Sequence, residues 1–567
     1  MISNIRITAA RLAALLVLAA LLCTEVQAAV AAEEQTLIMS MGSLTYENAT
    51  DPTISNQIVQ GTGWTYPHYY THYAPLIEQD TNGNIIPWMA ESYEVSDDLK
   101  TITFHLRKGI KFADGTPFNA SVAKFNFDRI LGYGWRDKTR MALCAPVTYY
   151  DSTEALDEYT LKVQFTQGWL NVARDLTDLV FYYGFISPWD VEPAWDIKGT
   201  LKSDKMYNGL GSYYVDENET IPKEKVVLKR RHSWRDDLDF HKPKMDRIVL
   251  THIADPKTAV IALKKGEINF INRYYSPTLE SLLELENDPD ITIMSRPSSR
   301  TYLITTAHWK EPFNGSDGLL LRKAINYALD REELANGVFF GYATPATDTM
   351  YLSPILPDVP ECCHKGYDYN IDKAKQLLSD AGWKDTDGDG ILDKNGEYLK
   401  DIDLIITSDS GANAGLTWMK DVALMVQSQL KKVGIDVKIQ MLEWSVFQET
   451  IKNGDFDLQI DYTRPNPMTF QLKLFNSSLL ISGKSPPSYA NENNTLGSIV
   501  YEAGIATREE ERDQNICRTC NILYEDAGTI PLVHPMDYAV MSSKVKGYEY
   551  GVKWGEYEHL EECWIEE

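Results

Sequence analysis

The sequence predicts a mixed α/β protein folded in more than one lobe. Three observations predict it. The chain has 567 residues, and at roughly 100–200 residues per domain this is enough for three or four. Short β-branched or aromatic runs alternate with amphipathic helical stretches along the whole length, the pattern of strands interleaved with helices. No internal repeat or low-complexity segment occurs, which excludes solenoids and propellers. With 13 Trp and 32 Tyr to pack, extended disorder is excluded as well.

The strands are read from alternation. Thr101–Arg107 (TITFHLR), Tyr159–Phe165, Val226–Arg230, Arg247–Ile253, Tyr302–Thr306, Ile402–Thr407 and Ile435–Met441 are each short and rich in residues that suit a pleated, half-buried surface. Helices are expected at Ser121–Leu131, Pro256–Lys265, Gly318–Asn336, Asp372–Ala381, Ala412–Val433, Trp444–Asn453 and Arg508–Asp526. In the fourth, Asp372 stands as a cap ahead of an apolar stripe, and Gly382 and Gly434 mark helix ends. Gly434–Met441 runs through Leu442 and Glu443 into the helix that opens at Trp444. That strand–turn–helix unit places an aromatic at the carboxyl end of a strand, where ligands bind in open α/β sheets. The other reading of Trp444 is a core residue or hydrophobic staple.

The net charge of −26 makes a phosphate backbone an unfavourable partner, so nucleic acid is excluded. Arg6 and Arg11, the apolar run Leu12–Leu22 and the small residues of VQAAVAAEE form a secretory signal. The run falls short of the roughly 20 residues that span a bilayer. Cleavage follows Ala28 or Ala31, and a soluble, exported mature protein is expected, periplasmic or at the cell surface. Lipidation at Cys23 is the lesser reading, because Leu22 precedes it where a small residue is usual. The remaining cysteines are too few for a disulfide scaffold, although an oxidising compartment allows pairs. Cys517 and Cys520 share one helix as small buried residues or disulfide partners; no second CxxC or HxxxH answers them as a zinc site.

Asp385, Asp387, Asp389 and Asp393, with Gly390, have the spacing of a calcium loop, but position 12 is Gly396 rather than a bidentate Glu. The flanking glycines favour a plain acidic turn, with a structural Ca²⁺ as the alternative, and neither reading involves the functional cleft.

Residues 73–131 (YAPLIEQDTNGNIIPWMAESYEVSDDLKTITFHLRKGIKFADGTPFNASVAKFNFDRIL) resemble the signature block of the extracellular solute-binding proteins of family 5, the peptide/nickel class. More of the family pattern follows in order: Phe185–Pro188 (FISP), Gly209–Tyr213 (GLGSY), Leu321–Arg331 (LRKAINYALDR), Tyr367–Gly382, Glu443–Phe447 and Gly454–Asp457. The resemblance covers about residues 36–535. It implies a large two-lobed, hinged fold of the periplasmic-binding-protein kind, with an extra subdomain and a ligand cleft between the lobes. On the family pattern, lobe I comprises residues 33–65, 180–275 and 500–567, the subdomain 66–179 and lobe II 276–499. It implies a receptor, not an enzyme, that captures a peptide, a peptide-like molecule or a metal chelate. The receptor would work as a monomer and deliver its solute to an ABC permease with ATPase subunits on separate chains.

Trp444 matches the Trp of the family's E-W-x-x-F motif, which lines the cavity. The aromatic segment holding Trp64, Tyr66 and His68 and the segment holding Trp135, Arg136 and Arg140 are further candidates for contact with solute. Their alternatives are inter-subdomain packing and a solvated loop. After Phe456-Asp457 the chain departs from the peptide-binding members, which carry a Trp and then an Asp-Pro pair. Here Tyr462 stands near the Trp position and Asn466 precedes Pro467. Asp461 can replace the lost carboxylate, or Arg464 can reverse the preference toward an anionic group. A ligand sensor of the same fold is the rival reading; a secreted hydrolase is disfavoured because neither GxSxG nor HExxH occurs.

Overall fold

The structure, a computed structural model, describes residues 34–41, 73–80, 84–133, 145–183, 185–196, 200–201, 209–221, 223–231, 242–271, 277–298, 300–348, 359–408, 418–463, 495–550 and 560–566. The expected export signal, with Cys23, lies outside these residues.

The chain opens with β1 (Thr36–Met41), whose Leu37, Met39 and Met41 are fully buried at alternate positions. It then builds a subdomain from β2 (Ala90–Val95), β3 (Thr101–Leu106), α1 (Ala120–Phe127), α2 (Ala145–Tyr149), β4 (Tyr150–Ala155) and β5 (Thr160–Phe165). The four strands pair antiparallel in the order β2-β3-β5-β4. Ile102, Phe104 and Leu106 of β3 and Leu161, Val163 and Phe165 of β5 turn one face onto α1, so the period-2 pattern is also the packing pattern. Asn119 caps α1 by accepting from the Val122 amide at 3.1 Å. Buried Asn126 donates to the Ile186 carbonyl and accepts from its amide, both at 3.0 Å, which fastens the subdomain to the first lobe.

That lobe continues through β6 (Tyr213–Val215), β7 (Lys225–Arg230), β8 (Arg247–His252), α3 (Pro256–Lys264) and β9 (Phe270–Ile271). β10 (Ile291–Pro297) and β11 (Thr301–Thr306) carry the chain into the second lobe. There it forms α4 (Gly315–Ala328), α5 (Arg331–Phe339), β12 (Ala343–Pro345), α6 (Ile371–Asp380), β13 (Ile402–Thr407), α7 (Met419–Lys431), β14 (Val437–Leu442), α8 (Trp444–Asn453) and β15 (Leu458–Thr463). A helical hairpin, α9 (Thr495–Ile505) and α10 (Glu509–Asp526), precedes the long strand β16 (Thr529–Ser542).

One 12-stranded sheet runs through both lobes in the order β6-β7-β8-β1-β9-β16-β11-β15-β13-β14, with β10 and β12 also on β16. β16 is shared. Its first half pairs with β11 and β12, and its second half with β9 and β10. The first lobe packs Met39, Val226, Leu250, Phe270 and Met541 into one core, while Ile304, Ile325, Leu404, Val426 and Ile460 belong to another. The lobes are thus joined through a few adjacent strands, the arrangement a hinge requires.

The structure departs from the sequence expectation in three places. The helix expected over Gly318–Asn336 is two helices, because the Asp330 carboxylate accepts from the Glu333 amide at 2.9 Å and starts α5 anew. The cap of α6 is Asn370, bonded to the Lys373 amide at 2.9 Å, and Asp372 lies inside the first turn. The boundary expected at 499/500 falls inside α9. Two disulfides, Cys362–Cys517 and Cys363–Cys520, fasten α10 to the second lobe, so the α9–α10 hairpin packs with that lobe. Cys517 and Cys520 are therefore disulfide partners of Cys362 and Cys363, not of each other. Cys563 is buried and takes part in neither disulfide.

Candidate functional site

β13, β14 and β15 run parallel, so their carboxyl ends meet at one edge of the second lobe. β15 reads LQIDYT, and alternation decides which side chains go where. Leu458, Ile460 and Tyr462 turn toward the helical core with α4, α5 and α7. Gln459 and Asp461 turn to the opposite face, beside Leu303 and Thr305 of antiparallel β11, since Leu303 pairs with Asp461 and Thr305 with Gln459. Ile405 of β13 pairs with Gln459, so two residues further on Thr407 lies level with Asp461; Thr407 in turn pairs with Leu442 of β14. Leu442, Thr407, Asp461 and Leu303 form one row across the sheet near the carboxyl ends. Trp444 stands just beyond that row.

The chemistry of the row centres on Asp461. Its carboxylate accepts from the Tyr462 amide at 2.7 Å, and among the described residues no Lys, Arg or His pairs with it. The residue is only partly screened from solvent, yet its carboxyl is crowded by protein. Desolvation pushes its pKa up to about 6, outweighing the amide hydrogen bond. An acid in that state gains from any cation that reaches it. Next to it the Tyr462 ring packs at 6.1 Å from Tyr302 and lies 5.7 Å from the Arg300 guanidinium. Tyr302 also meets Trp418 and Phe339, so an aromatic cluster supports the strand from behind.

Trp444 is the first residue of α8. The Glu443 side chain caps that helix by accepting from the Ser445 amide at 3.0 Å. The indole is 40% exposed and stacks on Phe447 at 6.1 Å, tilted 26°. Phe447 is fully buried with Ala307, Ile405 and Phe456. The indole therefore rests on a fixed platform with one face open, which is what a ring awaiting a ligand needs.

Asp461, Tyr462 and Trp444 thus lie at the same end of one sheet. Trp64, Tyr66, His68, Trp135, Arg136, Arg140 and Arg464 lie outside the described residues. The acidic turn lies at the other end of the parallel strands, where the Leu392 amide bonds to the Gly434 carbonyl ahead of β14. Asp385, Asp387 and Asp389 are exposed there, with their carboxylates within 4.8 Å of one another. Asp393 is buried and turned away to accept from the Thr386 amide at 2.9 Å and its hydroxyl at 2.8 Å. Sequence reasoning missed Gln459, although the alternation that turns Asp461 to that face of the sheet turns it there too. Its buried Oε1 has no hydrogen-bond partner among the described residues. It also missed the buried Thr301–His534 contact, 2.9 Å between Oγ1 and Nδ1.

Comparisons with known proteins place the chain in a family. The model of the bacterial extracellular solute-binding proteins, family 5, matches residues 84–478. The chain belongs to that family. It is 26% identical over 537 residues to the oligopeptide-binding protein AppA of Bacillus subtilis, covering 92% of each chain. It is 27% identical over 489 residues to the nickel-binding periplasmic protein of Escherichia coli, covering 82% of this chain and 86% of that one. Among solved structures, NikA from Brucella suis in complex with Fe(III)-EDTA superimposes with a TM-score of 0.78 at 23% identity, covering 94% of this chain and 100% of NikA.

Membership fixes the general function. Like other family 5 proteins, this chain is a solute-binding component of an ABC importer with the two-lobed fold of those receptors. No helix among the described residues is long and apolar enough to cross a membrane.

Proposed function

We propose that this receptor takes a peptide or peptide-like solute by its ammonium group, with Asp461 as the anion that receives it and Trp444 as the ring against which the solute lies. The observation that carries the reading is the Asp461 carboxyl, unpaired among the described residues and pushed up to about 6 by its surroundings. A carboxylate so placed costs stability until a cation arrives, and the ammonium both neutralises and hydrogen-bonds it. Relatives named for oligopeptide and glutathione binding support a solute that carries such a group. The second reading, a metal chelate, draws on the nickel-binding relative and would use the same face.

In this reading the mature protein is exported, works as a monomer, hands its solute to a separate permease and leaves every covalent bond of the solute intact. Mass spectrometry of solute recovered after prolonged incubation tests the last point: an unchanged mass supports the receptor, and a cleavage product removes it. Trialanine and N-acetyl-trialanine test the anchor. Wild-type protein should bind the free amine at least tenfold more tightly, and Asp461→Asn should erase that preference. Equal affinities in the wild type would refute the assignment.

A further inference from the structure

We propose that the α9–α10 hairpin is an interlobe latch in which the Tyr501 hydroxyl, bonded to Tyr149 of the subdomain, sets solute affinity without touching solute. The inference takes the receptor function from family membership and does not depend on which solute is bound.

One end of the hairpin is fixed to the second lobe. Besides the two disulfides to Cys362 and Cys363, Tyr524 stacks on Tyr367 at 4.9 Å, and its carbonyl accepts from the Tyr367 hydroxyl at 2.5 Å. The Arg322 guanidinium, almost fully buried, donates to the Asp526 carbonyl at 2.8 Å and to its carboxylate at 3.1 Å. Lys365 reaches Asn521 at 2.7 Å. Leu496, Val500, Ile516 and Leu523 close a small core around Cys363 and Cys520. So many fixed points make the hairpin move with the second lobe as one body.

The other end meets the first lobe's subdomain. The Tyr149 and Tyr501 hydroxyls lie 2.6 Å apart, and the Leu170 amide donates to the Ala506 carbonyl at 2.9 Å. Ala506 sits at the turn between α9 and α10, where a small residue would ordinarily be exposed, yet it is only 4% exposed. Tyr149 itself packs on buried Trp169, whose loop supplies Leu170. Burial and the neighbouring Tyr501 phenol both raise the Tyr149 pKa, so the Tyr149 phenol keeps its proton and donates a hydrogen bond to the Tyr501 oxygen.

The subdomain is held to the first lobe through Asn126 and Ile186. These two contacts therefore join bodies connected elsewhere through shared strands, far away in sequence from the Asp461 row. Rotation about the strands that opens the cleft separates them. A bond present only in the closed form raises the closed population, and apparent affinity scales with that population.

The test has an arm that needs no solute. Leu170→Cys/Ala506→Cys places thiols on two residues already joined by a backbone hydrogen bond, and their rate of oxidation, read by intact mass, reports the closed population. Adding Tyr501→Phe should slow that oxidation about two- to fivefold, within the range of one lost hydrogen bond. Tyr149→Phe should do the same, and the double change no more than either alone. The melting temperature of Tyr501→Phe without the added cysteines should match the wild type. With trialanine as probe, Tyr501→Phe should speed dissociation by the same factor and leave association unchanged. Equal oxidation rates, or additive effects of the two Phe variants, would overturn the latch. Failure of trialanine to bind the wild type would count against the proposed solute alone, with the oxidation rates still deciding the latch.

Discussion

Removing the two disulfides one at a time and then together should give sharply non-additive losses. Cys362–Cys517 and Cys363–Cys520 each span more than a hundred residues, with separations of 155 and 157. Closing a loop of that length restricts the unfolded chain by about 5 kcal/mol in the chain-entropy account. Once one bridge exists, however, the other closes a ring of only a few residues and adds about 2 kcal/mol. Cys363→Ala/Cys520→Ala should therefore cost about 2 kcal/mol, and so should Cys362→Ala/Cys517→Ala. The fourfold variant should lose about 7 kcal/mol, enough to detach the hairpin. The assay is urea unfolding without reductant, followed by intrinsic fluorescence and by hydrogen exchange of α10 (residues 509–526). If removing either bridge cost about half as much as removing both, the reasoning would be refuted, since each bridge would then be acting alone.

Two buried histidines make stability fall with acid. Burial pushes both His308, near Asp526 and Arg322, and His534, bonded to Thr301, down to about 4. The folded protein keeps both neutral, so their contribution is fully present above the unfolded value near 6.5 and is lost as pH falls toward about 4. It amounts to as much as ~3 kcal/mol each. His534→Gln should flatten the urea-midpoint profile between pH 6.5 and 4.5; an unchanged slope would clear His534 of the effect. Trp444→Ala should leave the unliganded melt nearly unchanged, because one face of the indole is open and its platform Phe447 stays buried, while the melting shift produced by trialanine disappears. A full shift in that variant would take Trp444 out of the site.

How much of this was legible beforehand depends on the range of the signal. The strand Thr101–Leu106 was readable because alternation is local and one face is buried, and Ile402–Thr407 because it is a short apolar, β-branched run. Helix α8 was readable because Glu443 and Gly454 bracket it. The break at Asp330 was also present, as an Asp cap three residues before Glu333, but the apolar period runs straight across it. β16 was not read as a strand, since it is buried on both faces and so lacks alternation, and it carries Pro531 and Pro535. The disulfide partners could not be paired at all. Four cysteines allow three pairings, and only the packing of α10 on residues 359–363 chooses among them. At the site, Asp461 and Trp444 were singled out from the family pattern, but bringing them to one end of a sheet required the register of three strands. The Tyr149–Tyr501 contact joins residues 352 apart and has no sequence signature.

The account turns on a cation reaching Asp461, and proton release measures that directly. At pH 6 the free carboxyl should be about half protonated, and an ammonium beside it should restore an ordinary, ionised carboxylate. Calorimetric titration with trialanine in buffers of different ionisation enthalpy should therefore show about half a proton released per solute bound, and none in Asp461→Asn. Tight binding by the wild type with no proton released, or the same release from the Asn variant, would contradict it.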